Sequence, residues 1–355
     1  MINDDYKLSC LKKYGKNSIS FLTLINNLPT YTGNWEGYIS YYYCARTAVV
    51  LGDPIVPFES LRTAIKDFKQ SFSQRGIHIC IFSCTKKIID TLEKENFKGI
   101  YIGSEAVVDL NKFNISGNKN WKIRSSVNYA RKKNMIVEEY NPYFSKSRCI
   151  ENEIKNVSEN WCKMKMIPKP EFMLGKNDFT KSYNTRYFIC KHDNKTLGYI
   201  NYYPILSKND LYLDHARRDM NSPRGIIDFL MVESFKKLRD EGIKKVYIGL
   251  SPFSFFSSEY KLDSIIDNNL FNFSKHLFKL FYPTKSEFFF KNKYATEWEP
   301  NYLYFHPKYS MRMIISLANS FYAGGFLALL LKKTRYFLGK KREKSIGFRL
   351  FGVVV

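Results

Sequence analysis

Two aspartates and an arginine stand close together in LYLDHARRDMNSPRGIID, residues 211–228. Asp214 and Arg217 fall at the end of a strand-like run, and Asp228 lies on the helix-like run that follows. A carboxylate at a strand end can take or steer a proton, and a guanidinium beside it can hold a phosphate. The Pro-Arg-Gly turn between them opens a helix, whose N-terminus attracts anions. The plainer alternative is a structural Asp–Arg pair. His215 is a base by residue type, but strict strand alternation turns it to the face opposite Asp214. A second run, KKVYIGLSPF, ends on Gly249 and Ser251, where small residues admit a ligand against the backbone. Ser251 lacks the setting of a hydrolase nucleophile. FFFKNKYATEWEP (288–300) reads as a basic strand near an aromatic, with Lys291 and Lys293 beside Glu297 and Trp298. There is no Walker loop, GxGxxG or HExxH, and Cys80 and Cys84 sit with His78 in an apolar run. The expectation is therefore no metal and no cofactor.

Strands and helices must alternate to position these residues. FESLRTAIKDFKQSFSQRG and GIIDFLMVESFKKLRDEG have helical periodicity and end at glycines. IHICIFSC, YIGSEAVVDL and LYLDHA are strand-like, and RYFICKHDNKTLGYINYYPIL reads as a hairpin turning at Asp193–Asn194. The pattern is α/β, and its recurrence in both halves suggests a duplicated fold. We expect a first domain at 1–118, a basic linker at 119–145, a second domain at 146–310 and a terminal helix and tail at 311–355. The linker stretch KNWKIRSSVNYARKK carries Lys119, Lys122, Arg124, Arg131, Lys132 and Lys133, with no acid and with Trp121 and Tyr129 interleaved. As a helix it forms a ridge that can follow phosphates and stack on bases. The 355-residue chain has 56 Lys and Arg against 33 Asp and Glu, a net charge of +23. That excess calls for polyanionic partners, nucleic acid or an anionic membrane. Residues 313–331 form an uncharged run followed by Lys332, Lys333 and Arg335. It can be read as a spanning helix, an interfacial helix or a buried terminal helix. Seven scattered cysteines and no signal-peptide layout point to a reducing, cytoplasmic compartment.

VVLGDP (49–54), GSEAVVDL (103–110), LDHARRDMNSPRGIIDFL (213–230), IGLSPF (248–253) and FKNKYATEWEPNYL (290–303) occur in the order of one known domain. The sequence resembles, over roughly residues 35–310, the C-terminal catalytic domain of bacterial phosphatidylglycerol lysyltransferases and alanyltransferases, the multiple peptide resistance factor family. The resemblance implies tandem GCN5-related N-acetyltransferase-like folds joined by a basic helix. It implies transfer of an aminoacyl group, lysine or alanine, from a charged tRNA to the glycerol hydroxyl of phosphatidylglycerol. Asp214 and Arg217 match the family's catalytic Asp-x-x-Arg. Lys291 matches a lysine linked to substrate binding, and Glu105 one acid of a Lys-x-Gly-Glu-Glu-Ala stretch. Tyr101 and Ser104 depart from that stretch, so the amino acid or acceptor can differ here. The expected substrate-binding set is Tyr101, Ser104, Glu105, Asp228, Gly249, Ser251 and Lys293, with the 119–133 ridge for tRNA. The resemblance further implies a place on the inner membrane surface. The family's membrane-spanning half is not in this sequence, which implies a separate lipid flippase, or none. The rival expectations are another acceptor, or a tRNA- and membrane-binding module without catalysis.

Overall fold

The computed structural model describes residues 2–169, 171–177, 179–181, 183–255, 268–281 and 284–334. The first half runs α1 (Asp4–Tyr14), α2 (Leu22–Ile25), β1 (Thr30–Gly33), β2 (Trp35–Cys44), β3 (Thr47–Leu51), α3 (Leu61–Ser73), β4 (His78–Thr85), α4 (Ile89–Lys94) and β5 (Lys98–Asp109). A basic helix, α5 (Trp121–Lys132), leads to β6 (Ile136–Tyr140) and α6 (Arg148–Lys165). The second half continues with β7 (Arg186–His192), β8 (Lys195–Ile205), β9 (Asp210–Arg218), α7 (Ile226–Asp240) and β10 (Lys245–Pro252). It ends with α8 (Asn268–Phe281), α9 (Thr284–Asn292), β11 (Glu297–His306) and α10 (Met311–Ser320).

Local sequence explains most of these elements. In α3, Leu61, Ala64, Ile65, Phe68 and Phe72 repeat at helical spacing and all are buried. The chain turns out of that helix at Gly76, where φ is +65°. The hairpin between β7 and β8 turns at Asp193 and Asn194, whose φ values of 48° and 59° suit a tight two-residue turn.

The described strands form one sheet in the order β1-β2-β3-β4-β11-β5-β10-β9-β8-β7-β6. Each half carries the same unit, an antiparallel pair followed by a helical crossover to a parallel strand: β2-β3-α3-β4 and β8-β9-α7-β10. Each half then exchanges its last strand. β5 pairs with β10 of the second half, and β11 returns to pair with β4 of the first. The sheet therefore crosses the division at residues 118 and 146 expected from sequence. Residues 297–306, assigned to the second domain, are built into the sheet of the first.

α3, α5 and α7 pack on one face, through the clusters holding Ile79 and Phe68, and Val108, Val127 and Leu230. α1, α2 and α10 pack on the other face around Phe21, Val107, Tyr212 and Met313, and α6 packs there around Ile154 and Tyr199.

Two further expectations change. Lys291 is not on a strand: 284–292 is helical, Lys293 lies in the turn after it, and β11 starts at Glu297. The apolar run 313–331 is not one helix. α10 stops at Ser320, Gly324 and Gly325 take φ of +78° and +68°, and helix resumes over 325–334. No helix among the described residues is long and apolar enough to cross a membrane. Met313, Ile314 and Ser316 of α10 are buried, and Ser316 donates to the Cys44 carbonyl at 2.8 Å. The tail beyond 334, including Arg335, lies outside the described residues.

Candidate functional site

β9 carries one more residue than its partner at the decisive point. Asn201 pairs with His215 and Tyr202 with Leu213, so Asp214 is the extra residue of a bulge. The bulge resets the alternation. Leu211, Leu213 and Ala216 face α7, while Asp214, His215 and Arg217 all lie on the α6 side. The expectation that His215 faces away from Asp214 is thus overturned: its Nε2 lies 3.3 Å from Asp214 Oδ2.

The Asp214 carboxylate is wholly buried and accepts the Gly175 amide at 3.0 and 3.1 Å on its two oxygens. Burial pushes its pKa up to about 7, against the opposing pull of Gly175 N–H, Arg217 and Asn201. Burial, then the charges of Arg217 and Lys169, hold His215 well below its ordinary value. Near neutral pH this is a carboxyl poised to exchange a proton beside an uncharged imidazole. Arg217 is buried, stacks over the Trp161 ring at 5.0 Å and donates to Ser158 Oγ.

A second bulge faces the first. Tyr247 pairs with Val107 and Leu250 with Glu105, leaving Ile248 and Gly249 opposite one residue. Gly249 has φ +86°, which an L side chain resists. The parallel pairing of β9 with β10 is confined to Leu211–Val246 and Tyr212–Tyr247, so beyond these residues the strands part. Into that opening comes Lys291 from α9. Its Nζ donates to the Leu250 carbonyl at 2.6 Å and would lie 3.5 Å from a Cβ at Gly249, with Tyr212 Oη at 3.6 Å. Burial lowers the Lys291 pKa, offset by Glu287 and Glu105. Glu105 accepts from Ser18 Oγ at 2.9 and 2.8 Å and sits directly across from Glu299. Burial raises its pKa to about 7, and Glu299 adds to the rise. Burial also raises Tyr212, and the charges of Asp214 and Glu105 both add to the rise.

Asp214, His215 and Arg217 thus cluster at the end of β9, and Glu105, Gly249 and Lys291 cluster at the bulge between β5 and β10, where Tyr212 Oη also approaches Gly249. Other expected residues do structural work. Asp228 accepts from Lys293, Tyr294 and Ser126, bracing α7 against α5 and the end of α9. Tyr101 Oη bonds Ser104 Oγ at 2.7 Å and the Ser254 carbonyl at 2.8 Å, and Ser254 Oγ accepts the Ser104 amide. Ser251 is fully buried, and its hydroxyl has no partner among the described residues. Sequence reasoning named His215 as a base but set it aside, and it missed Tyr212, Tyr199, Ser18 and Gly175. For His215 the signal was present: the apolar phase slips between Leu213 and Ala216. Gly175 carried none, although a Cβ there would meet Tyr203 Oη at 2.0 Å.

The basic stretch is helical as expected, but its six cations divide. Arg124 donates to the Ile115 and Gly117 carbonyls, and Arg131 pairs with Glu233. Lys119, Lys122, Lys132 and Lys133 stand exposed beside exposed Trp121 and Tyr129.

Comparison with known proteins agrees with this architecture. Residues 9–305 match the family model for the C-terminal part of phosphatidylglycerol lysyltransferase. A phosphatidylglycerol lysyltransferase of Bacillus subtilis is 25% identical over 318 residues, covering 86% of this chain and 35% of that protein. One from Staphylococcus epidermidis is 24% identical over 324 residues, covering 86% and 38%. The chain thus spans a little over a third of the length of these relatives. The structure of L-PGS from Bacillus licheniformis superposes with a TM-score of 0.75 at 22% identity, covering 89% of this chain and 95% of that one. The C-terminal domain of a putative lysylphosphatidylglycerol synthetase from Agrobacterium fabrum gives 0.74 at 19% identity, covering 88% and 94%. With more than four-fifths of its length matched, the chain belongs to the family of phosphatidylglycerol lysyltransferase C-terminal domains.

Proposed function

We propose that this chain transfers an aminoacyl group from a charged tRNA to the glycerol hydroxyl of phosphatidylglycerol. The observation that carries the reading is the buried Asp214, with a pKa of about 7, set by a bulge at the parting of two strands. An aminoacyl ester is already activated, so positioning and proton transfer are the work that remains. The lipid hydroxyl oxygen attacks the ester carbonyl carbon, and Asp214 takes its proton. The new carbon–oxygen bond forms, the bond to the ribose oxygen breaks, and the proton passes to that departing oxygen. His215, uncharged and 3.3 Å away, can share the proton. Arg217 is a positioning residue, anchored by Ser158 and Trp161, whose charge holds Asp214 closer to ionisation. Lys291 supports the negative charge that develops on the carbonyl oxygen.

The exposed lysines of α5, on the same face as α7, suit the phosphates of the RNA donor. Exposed Met311, Ile315, Leu327 and Leu331, with Lys332 and Lys333 beside the last two, suit contact with the inner face of an anionic membrane. The product lipid carries less negative charge and binds cationic peptides less well. Both relatives are named for lysine, which makes lysine the first donor to test.

The test is a lipid extract from a phosphatidylglycerol-containing host, resolved by mass spectrometry. Wild type should yield an aminoacyl-phosphatidylglycerol whose mass names the amino acid, and Asp214→Asn should yield none. If folded wild-type protein yields no new lipid, the acceptor is another molecule or the chain only binds.

A further inference from the structure

α6 begins beside a cavity of about 440 Å³ whose wall includes Lys146, Arg148, Glu151, Lys155, Asn177 and Phe179. Three cations face one carboxylate there, and Glu151 already accepts the Tyr140 hydroxyl at 2.9 Å. None of the three cations makes an ion pair among the described residues. Lys155 rests over the Phe179 ring, 5.5 Å from its centroid. The cavity is wired to the candidate site. Asn177 Nδ2 donates to Tyr199 Oη at 2.8 Å, and Tyr199 Oη lies 3.3 Å from His215 Nδ1. His215 Nε2 lies 3.3 Å from Asp214 Oδ2 without a hydrogen bond between them. The Asn177 amide oxygen is buried without a partner among the described residues.

The face of the sheet decides which polyanion fits. The α5 ridge packs against α7, on the face opposite α6. The α6 side also exposes apolar groups. Tyr143 and Phe144, in the loop entering α6, are 62% and 76% exposed and meet edge to face at 5.2 Å. At the far end of α6, Lys332 Nζ donates to the Ile167 carbonyl, and Leu327 and Leu331 stand exposed on the same stretch of helix. Apolar contacts at both ends of a helix of about 27 Å, with cations along it, suit a bilayer surface better than a single strand of RNA.

We propose that this cavity binds the phosphodiester of the acceptor lipid's headgroup, with Tyr143 and Phe144 dipping to headgroup level. This rests on the acceptor being phosphatidylglycerol, and it adds where the lipid is gripped. The test compares wild type with a Lys146→Ala, Arg148→Ala, Lys155→Ala triple variant, confirmed folded by its thermal transition. A triple variant at Lys119, Lys122 and Lys132 removes equal charge as the control. The probes are soluble glycerophosphoglycerol, vesicles of phosphatidylglycerol with phosphatidylcholine, and the aminoacyl-RNA. We expect the cavity variant to bind glycerophosphoglycerol and the anionic vesicles at least about tenfold more weakly, with RNA affinity unchanged. The control should keep headgroup affinity. Unchanged headgroup binding in the cavity variant, or no headgroup binding by wild type, overturns the proposal. So does a loss of RNA affinity in its place. Binding needs no turnover, so a wild type that grips the headgroup through the cavity but makes no aminoacyl lipid sinks the proposed reaction and the acceptor role, and leaves the cavity as a headgroup-binding site only.

Discussion

Glu105 shows how a single side chain ties stability to pH. Its carboxyl is buried, faces Glu299 across the strand pair and has a pKa of about 7 in the folded chain. In the unfolded chain it would titrate near the ordinary glutamate value. Between those two values the folded state holds a proton that the unfolded state has lost. Folding therefore loses stability as pH rises through that window, by up to about 3 kcal/mol once the group is ionised in both states. Glu105→Gln removes the charge and keeps an acceptor for Ser18. Its melting temperature should exceed wild type most at pH 8, and the gap should shrink towards pH 5. A gap independent of pH would show that Glu105 is not the titrating group. Asp214, raised for the same reason, gives activity its own expected rise with pH through about 7, because the proton acceptor must be ionised.

At the scale of elements, the local signals were legible and the non-local ones were not. α3 and α7 follow from apolar spacing and a following glycine, and the β7–β8 hairpin from Asp193–Asn194. The bulge at Asp214 was written into the phase slip from Leu213 to Ala216, but an alternation rule applied without that slip sends His215 the wrong way. Lys291 reads as part of a strand because FFFKNK is rich in aromatics. Its helix is fixed instead by packing of Phe290 against the α7 face. The candidate site was thus half visible: Asp214, Arg217, Glu105, Gly249 and Lys291 were found, whereas Gly175 and Ser18 reach the carboxyls from distant loops. α5 carries its own prediction. With Arg124 held by the Ile115 and Gly117 carbonyls and Arg131 by Glu233, four lysines remain for phosphates. The logarithm of RNA affinity should fall with the logarithm of salt with a slope of about −3. Replacing those four lysines by alanine should flatten the slope to near zero, as read by filter binding between low and physiological salt. An unchanged slope would place the RNA elsewhere.

At the scale of the whole molecule, the exchange of β5 and β11 rules the behaviour of the halves. β4 and β5 do not pair with each other; β11 lies between them and pairs with both. Residues 1–118 alone should therefore leave β4 with one unpaired edge and β5 with no partner on either side, and show no cooperative thermal transition by circular dichroism. Co-expression with residues 119–355 should restore one. A monomeric 1–118 fragment with a sharp transition would count against the exchange. The same feature governs how the protein is born. β4 is made early, but its partner β11 follows more than two hundred residues later, which at about 5–20 residues per second is a wait of roughly 10–40 s on the ribosome. Throughout that interval the nascent chain displays an open sheet edge at β4 that β11 comes to cover. Synthesis of this protein is thus a race between translation and misassociation, and a chaperone that shields strand edges should raise its yield more than a slower promoter does.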